Sequence, residues 1–345
     1  MKTRLFKLSQ IYAAISIILF SALPVFSQNL QKTGTTAAQF LKIDVGPRAI
    51  GMGGAYIASA TDINAVYWNP AGLASLTGNG EAVFNHINWF ADIKLSVATA
   101  ALMIPEFGTV AVSFSSLNAI EDEPVRTEVD PTGSGELFDA GGLSFGLSYA
   151  RNLTDRFSIG FNAKYIQESI WHSTATGFAF DMGVLYRINI LNEFRMGASV
   201  FNFGSKMKMD GRDVLEIISV GSGDGNLISA KYDLDSFDLP LLFRVGVAAD
   251  LIKEGHSRLT LAFDAVHPND HTEYVNSGVE YSLNEQAFLR FGYKSLFEKD
   301  TEQGLTFGAG VLYGLGGDMK IKIDYAYQDF GVLDIVHHVA FGVSF

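Results

Sequence analysis

From Glu81 to the last residue the chain reads as a succession of segments, about ten to thirteen residues each, in which apolar and polar side chains alternate. That is the length a tilted strand needs to cross an outer membrane, and period two is the pattern that a wall with one apolar face imposes. Fourteen such segments can be counted, near 81–89, 92–104, 107–119, 139–151, 156–170, 175–188, 193–203, 239–252, 257–267, 272–283, 286–297, 303–315, 318–329 and 335–345. The alternation is cleanest where Phe157, Ile159, Phe161, Ala163 and Tyr165 oppose Ser158, Gly160, Asn162 and Lys164. It is equally clean where Met319, Ile321, Ile323, Tyr325 and Tyr327 oppose Asp318, Lys320, Lys322 and Asp324. One face of each segment suits hydrocarbon and the other does not. The fold expected is therefore all-β: a 14-stranded antiparallel transmembrane β-barrel.

The connections carry independent information. Alternate junctions are short (PEFG at 105, NLTDR at 152, NILNE at 189, KEGHS at 253, NEQ at 284, GLGGD at 314), and the two longest, 120–138 and 204–238, belong to the other set. Short turns on one side and long loops on the other are the asymmetry of an outer-membrane barrel, whose periplasmic side is the short one. With the even-numbered strands running toward the periplasm, Tyr149, Tyr186, Tyr281 and Tyr313 fall near one rim. Trp89, Trp171, Tyr293 and Tyr327 fall near the other, as two interfacial aromatic girdles require. The closing HHVAFGVSF sets Phe341, Val343 and Phe345 on one face with a terminal aromatic, and resembles the C-terminal signal read by the barrel assembly machinery.

The first residues give an address. Lys2, Arg4 and Lys7 precede an apolar run from Ile11 to Leu23, and Ser27 before Gln28 is suited to cleavage, so residues 1–27 read as a signal peptide. Thirteen apolar residues are short for a membrane helix. The chain has no Cys, which excludes a lipoprotein anchor, disulfides and thiolate metal sites. Its net charge of −12 argues against nucleic acid or an anionic surface as partner.

Between leader and strands lies a different kind of sequence, GPRAIGMGGAYIASATDINAVYWNPAGLASL at 46–76. Its glycines match no phosphate loop, because Tyr56 stands where a dinucleotide fingerprint needs its third glycine and no Gly-Lys-Ser/Thr is present. A fourteen-strand barrel is wider than its own side chains fill, so the stretch is expected to be a lumenal hatch, with domains 28–80 as hatch and 81–345 as barrel. Asp62 and Asn69 are placed to cap short helices, with Pro70 at the first helical position. Gly51, Gly53, Gly54 and Gly72 permit turns and close approach to a wall. Arg48 is expected to pair with an inner carboxylate.

These residues carry a resemblance. TAAQFLKI, GPRAIGMGGAYIA and NAVYWNPAGLASL, together with LSYARNLTDRFSIGFNAKYI at 147–166 and the closing strand, are similar to the PorV/PorQ family of outer-membrane proteins, which is related to FadL-type fatty-acid transporters. The resemblance implies a fourteen-stranded barrel with an N-terminal hatch in a Gram-negative outer membrane. Its implied partners are outer-membrane lipid including lipopolysaccharide and, for members acting in type IX secretion, secreted cargo proteins and a surface attachment complex.

No cofactor, metal or enzyme is expected. Ser144 sits in a G-x-S-x-G pattern, but mid-strand rather than on a strand-to-helix elbow. His337 and His338 point to opposite faces, and HPNDH at 267–271 reads as a polar outer turn. Asp233 and Asp235 lie in a stretch without the pattern of a calcium loop. Inward charges of both signs, among them Lys164, Asp181, Arg195, Arg244, Asp250, Asp264, Arg290 and Asp324, read as a salt-bridged interior that holds the hatch.

Three functions compete: handling of exported proteins, a FadL-type channel for hydrophobic small molecules, and lipid A modification. A channel calls for an apolar pocket inside, whereas the inward positions are mostly small or charged. Partner binding is expected of the two long loops, through Glu121, Asp122 and Glu123 in the first and Leu215, Ile217, Asp233 and Asp235 in the second. The apolar run around Leu215 suits a hairpin with an edge for strand addition.

Overall fold

The computed structural model describes residues 33–220, 226–298 and 301–345; the expected leader, 1–27, lies outside them. Seven strands come first: β1 (Gly80–Asn88), β2 (Lys94–Ile104), β3 (Gly108–Pro124), β4 (Leu137–Asn152), β5 (Phe157–Ile170), β6 (Ser173–Ile188) and β7 (Phe194–Gly204). Three short strands follow outside the wall, β8 (Asp210–Gly211), β9 (Leu215–Val220) and β10 (Asn226–Lys231). Seven more complete it: β11 (Leu242–Glu254), β12 (Ser257–Pro268), β13 (Tyr274–Leu283), β14 (Ala287–Leu296), β15 (Leu305–Gly316), β16 (Met319–Asp329) and β17 (Ile335–Ser344). Each wall strand pairs antiparallel with its neighbours, and β1 pairs with β17 while β5 pairs with β6, so fourteen strands close on themselves. Closure leaves no edge whose amides would face hydrocarbon.

The alternation read from the sequence is the wall. Along β6, inward Ala175, Ala179 and Asp181 are buried, while outward Phe178, Phe180, Met182 and Val184 are exposed. The seam between first and last strands is tied at its base, where the Phe345 carbonyl accepts from the backbone amides of Asn79 and Gly80 at 2.7 and 2.9 Å.

Two local expectations are corrected, for the first long loop and for Trp89. The first long loop is shorter than 120–138, because β3 and β4 continue as a hairpin beyond the wall to Pro124 and from Leu137. Glu121, Asp122 and Glu123 thus stand on strand. Register shifts at Ile120 and a positive φ at Asp122 absorb the extra residues, as bulges do. The second long loop holds the hairpin β9–β10. Trp89 belongs to no lipid-side girdle: it turns inward over the rim and packs on Phe330 at 4.9 Å between ring centres, beside buried Val45 and Leu95.

Residues 33–79 occupy the lumen. They form a 3-10 turn at Gln39–Lys42, one helix α1 (Pro47–Gly51), and 3-10 turns at Ile63–Tyr67 and Pro70–Ser75. Helices stay this short because caps and prolines interrupt them: Asp62 accepts from the Asn64 amide at 3.0 Å, and Asn69 from the Ala71 amide at 3.2 Å. The path runs from one mouth to the other. Lys42 bonds Asp270 in the turn after β12, on the side of the long loops, and Asn79 meets Phe345 on the side of the short turns.

Candidate functional site: the lumenal segment and the outer loops

The lumenal segment is held by backbone contact first. Gly53 has φ 65° and faces the backbone of Ser277 and Tyr293, which an added Cβ would meet at 2.7 Å. On the wall opposite, Gly278 and Gly292 leave room for Met52 and Gly53, so two main chains touch where a side chain on either would hold them apart. Gly51 faces Gly308 in the same way, Gly54 (φ 77°) faces Asn276, and Gly72 is pressed on Ala60. Pro70 sits against Gly160. Asp264 on β12 then accepts from two backbone amides of the segment, Tyr56 at 2.6 Å and Ile57 at 2.8 Å. The Asn69 side chain donates to the carbonyls of Ile57 and Val184.

Charge completes the attachment. Arg48 donates from Nε and Nη2 to the two oxygens of Glu280 at 2.8 and 3.0 Å, a fork on a carboxylate that is fully buried. Glu280 also accepts from Arg290 Nε at 2.8 Å and Arg258 Nη2 at 3.1 Å. Arg290 continues to Asp324 at 2.6 Å, and Lys322 joins Asp324 at 3.4 Å to Asp62 at 2.9 Å. Arg258 also pairs with Glu285, so four cations and four carboxylates share one network. Such balance is the condition under which buried charges persist. Burial alone would raise the Asp62 carboxyl, but Lys322 and Arg48 outweigh it and hold its pKa down at about 2. Burial likewise opposes the charge on Arg48, and Glu280 and Asp62 overcome it, leaving its pKa well above the usual value.

Arg48 therefore finds the inner carboxylate expected of it, while the carboxylate itself was not among the inward charges singled out. Glu280 was legible by parity, since it shares the inward face of β13 with Asn276, Gly278 and Ser282. Other inward charges pair as a salt-bridged wall: Lys164 with Asp181 at 2.9 Å, Arg195 with Asp250 at 2.7 Å, and Lys294 with Asp44 of the segment. Ser144 is buried against the lumen in mid-strand, with no helix after it. The turn at 267–271 is the clasp of the segment, where Asp270 accepts from Thr36, Gln39 and Lys42.

Two cavities lie between segment and wall: one, between Asp62, Leu76 and Lys322, leaves about 180 Å³ open to the centres of water molecules, and the other about 40 Å³. Tyr67, Trp68 and Phe201 line the smaller one together with Ser113, Lys164 and Arg244. Arg244 lies over the Trp68 ring at 4.9 Å. For comparison, an apolar cavity that binds benzene measures about 150 Å³.

Outside, the surfaces are of another kind. The β9–β10 hairpin pairs with nothing else in the sheet, and Ile217 and Leu227 are 71% and 73% exposed. Leu215 is half exposed beside them. Asp233 pairs with Lys208 and Asp235 is exposed, and among the described residues no group of acids and histidines forms a metal site. On the β3–β4 hairpin the Glu121 carboxylate accepts from Asn118 at 3.0 Å and the Asp122 amide donates to Asp139 at 2.9 Å, which fixes the acidic stretch on a rigid ladder. At the opposite end of the chain, Phe341 and Phe345 present half-exposed rings on the outer face, with Val343 between them in the strand.

Comparison with known proteins follows this architecture. The model of a family described as type IX secretion system protein PorV matches residues 26–222. Among solved structures, the CymD monoaromatic hydrocarbon channel is similar over 88% of this chain and 98% of its own, with a TM-score of 0.56 at 13% identity. The toluene transporter TodX of Pseudomonas putida is similar over 87% and 96%, with a TM-score of 0.52 at 12% identity. The toluene transporter TbuX of Ralstonia pickettii is similar over 87% and 97%, with a TM-score of 0.51 at 11% identity. At such identities the likeness is one of fold. No curated protein matches the chain.

Proposed function

This chain belongs to the PorV family of type IX secretion system proteins, and from that premise we propose that it handles exported proteins at the outer membrane of a Gram-negative cell. Its leader 1–27 is removed on export. The barrel assembly machinery then inserts it, with lipopolysaccharide around its outer half. Its outer loops receive cargo and pass it to a surface attachment complex, and it performs no chemistry of its own.

The observation that carries this reading is the contrast between the inside and the outside. The lumen is filled by a segment seated on backbone and ion pairs, and every wall strand is paired with both of its neighbours, as in the eleven consecutive pairs joining β2 to β3. An apolar hairpin and an acidic hairpin stand free on the outside. Recognition placed on loops over a rigid scaffold needs no passage through the barrel.

A second reading, a channel for hydrophobic small molecules, is favoured by the fold shared with hydrocarbon channels. The small size of the cavity beside Trp68, and the charges of Lys164, Asp181 and Arg244 on its wall, weigh against it. Shortening 125–136 and 206–236 separately, with the strands intact, tests both. Loss of surface-attached proteins from either deletion, at unchanged barrel levels, supports protein handling. An unchanged surface proteome with reduced uptake of a hydrophobic compound replaces it with the channel.

A further inference from the structure

The larger of the two lumenal cavities lies at the mouth with the short turns, where Thr77 and Ser344 line it. Thr61 and Asp62 form its inner end, and both are tied down: Arg48 Nη1 donates to the Thr61 hydroxyl at 3.1 Å, and Lys322 to Asp62 at 2.9 Å. The cavity therefore ends where the buried charge network begins, and it faces the periplasm as a recess rather than as a stage of a passage. Its 180 Å³ exceed the about 150 Å³ that accept a benzene ring. Leu76, Phe288 and Leu312 make one side apolar, and Gly342 puts no side chain into the floor.

Two opposite charges line this recess without meeting. Among the described residues, neither Glu81 of β1 nor Lys320 of β16 has an opposite charge within 4.0 Å. Lys322, the other cation there, is taken by Asp62 and Asp324. Ser344 of β17 stands between the two, opposite Glu81 on one ladder and Lys320 on the next. All three positions share the inward parity of their strands, since Val83 and Asn85 above Glu81, Ala340 above Ser344 and Asp324 above Lys320 are buried. At ~4.8 Å per ladder, the backbones that carry Glu81 and Lys320 are about 10 Å apart.

We propose that this recess binds a zwitterionic amino acid with an apolar side chain. Glu81 receives the ammonium group, Lys320 the carboxylate, and Leu76, Phe288 and Leu312 the side chain. Two charge-assisted bonds of ~2.8 Å with the amino-acid centre between them span about 9 Å, which fits two ladders. A simple anion would lie against Glu81 and Asp62, a simple cation against Lys320 and Lys322, and each meets repulsion that a zwitterion avoids. A hydrocarbon would leave both charges desolvated and unpaired. The same zwitterion occurs as a free amino acid and at the side-chain end of the diamino acid in cell-wall peptides, and both arrive from the periplasm. Occupancy beside Thr61 and Asp62 stabilises the lumenal segment by linkage. The recess lies at the end of the barrel opposite to the outer loops, so the inference does not depend on the protein-handling reading.

Titration of the purified, detergent-solubilised barrel with L-leucine tests this. Leucine should bind saturably, with half-saturation below ~1 mM. Leucinamide, which lacks the carboxylate, and isocaproate, which lacks the ammonium group, should each bind the parent chain at least about tenfold more weakly. Glu81→Gln and Lys320→Met should each lower leucine affinity by about tenfold, with the heat-modifiability of the barrel retained. The ligand series on the parent chain decides the matter even where a variant fails to assemble. Absence of saturable leucine binding, equal binding of leucinamide or isocaproate, or an affinity indifferent to both substitutions each overturns the proposal. Soluble wall peptides with a free diamino-acid end distinguish the sources. Displacement of leucine by them at lower concentration than leucine itself assigns the occupant to the wall, and failure to displace assigns it to the free amino-acid pool.

Discussion

Replacing Glu280 by Gln leaves three arginines, 48, 258 and 290, around a neutral amide. Removing one partner of a buried ion pair typically costs about 3–5 kcal/mol, because the others stay buried without compensation. The Glu280→Gln variant should therefore loosen the lumenal segment while the wall ladders persist, and hydrogen exchange of the amides around Arg48 measures it. Protection equal to the parent chain would show that Glu280 is not the anchor. Asp62 gives the pH dependence. Its carboxyl is depressed to about 2 in the folded chain. Its contribution is thus fully present above the unfolded value of ~3.9 and disappears as pH falls through about 2. The same amides should exchange with a lower opening free energy as pH falls below ~4. Asp62→Asn should reduce that acid dependence.

Among elements, the contact between α1 with its following turn and strands β13–β15 is the one that a single atom can break. A Cβ at Gly292 would overlap the Gly53 amide, and Val adds two methyl groups to it. Gly292→Val should displace the segment and raise dye uptake by intact cells, with barrel levels unchanged, since the ladder of β14 to its neighbours needs no glycine. Gly314→Ala, on the next strand but with nothing within 4 Å of the added Cβ, is the matched control and should change nothing. Equal dye uptake by both variants would mean that the segment is not what closes the lumen. The same elements show where sequence reading stopped short. Period two gave β3 and β4 up to the membrane rim but not beyond it, because alternation records a lipid face, and the hairpin above the rim has none.

The whole molecule is closed by its ends. Phe345 exchanges backbone hydrogen bonds with Gly80 and accepts a further one from Asn79, sealing β17 to β1. Its ring is 42% exposed, so burial contributes less than the ~1.5–3 kcal/mol of a fully buried side chain, small against fourteen ladders. Deleting Phe345 should lower the amount of inserted barrel several-fold while the inserted fraction keeps the altered mobility of unboiled protein on a gel; unchanged membrane levels would deny the terminus a role in assembly. What the sequence by itself determined was the wall: strand number, short and long sides, and the faces that meet lipid and lumen. Those follow from local alternation, which a barrel enforces along every strand. The caps at Asp62 and Asn69 were local too, hence legible. Only the tertiary structure decided that Arg48 takes Glu280, that Gly53 is paired with Gly292 across 239 positions, and that Trp89 turns inward. These depend on register around a closed sheet and on where a threaded segment comes to rest, and neither leaves a periodic mark on the chain.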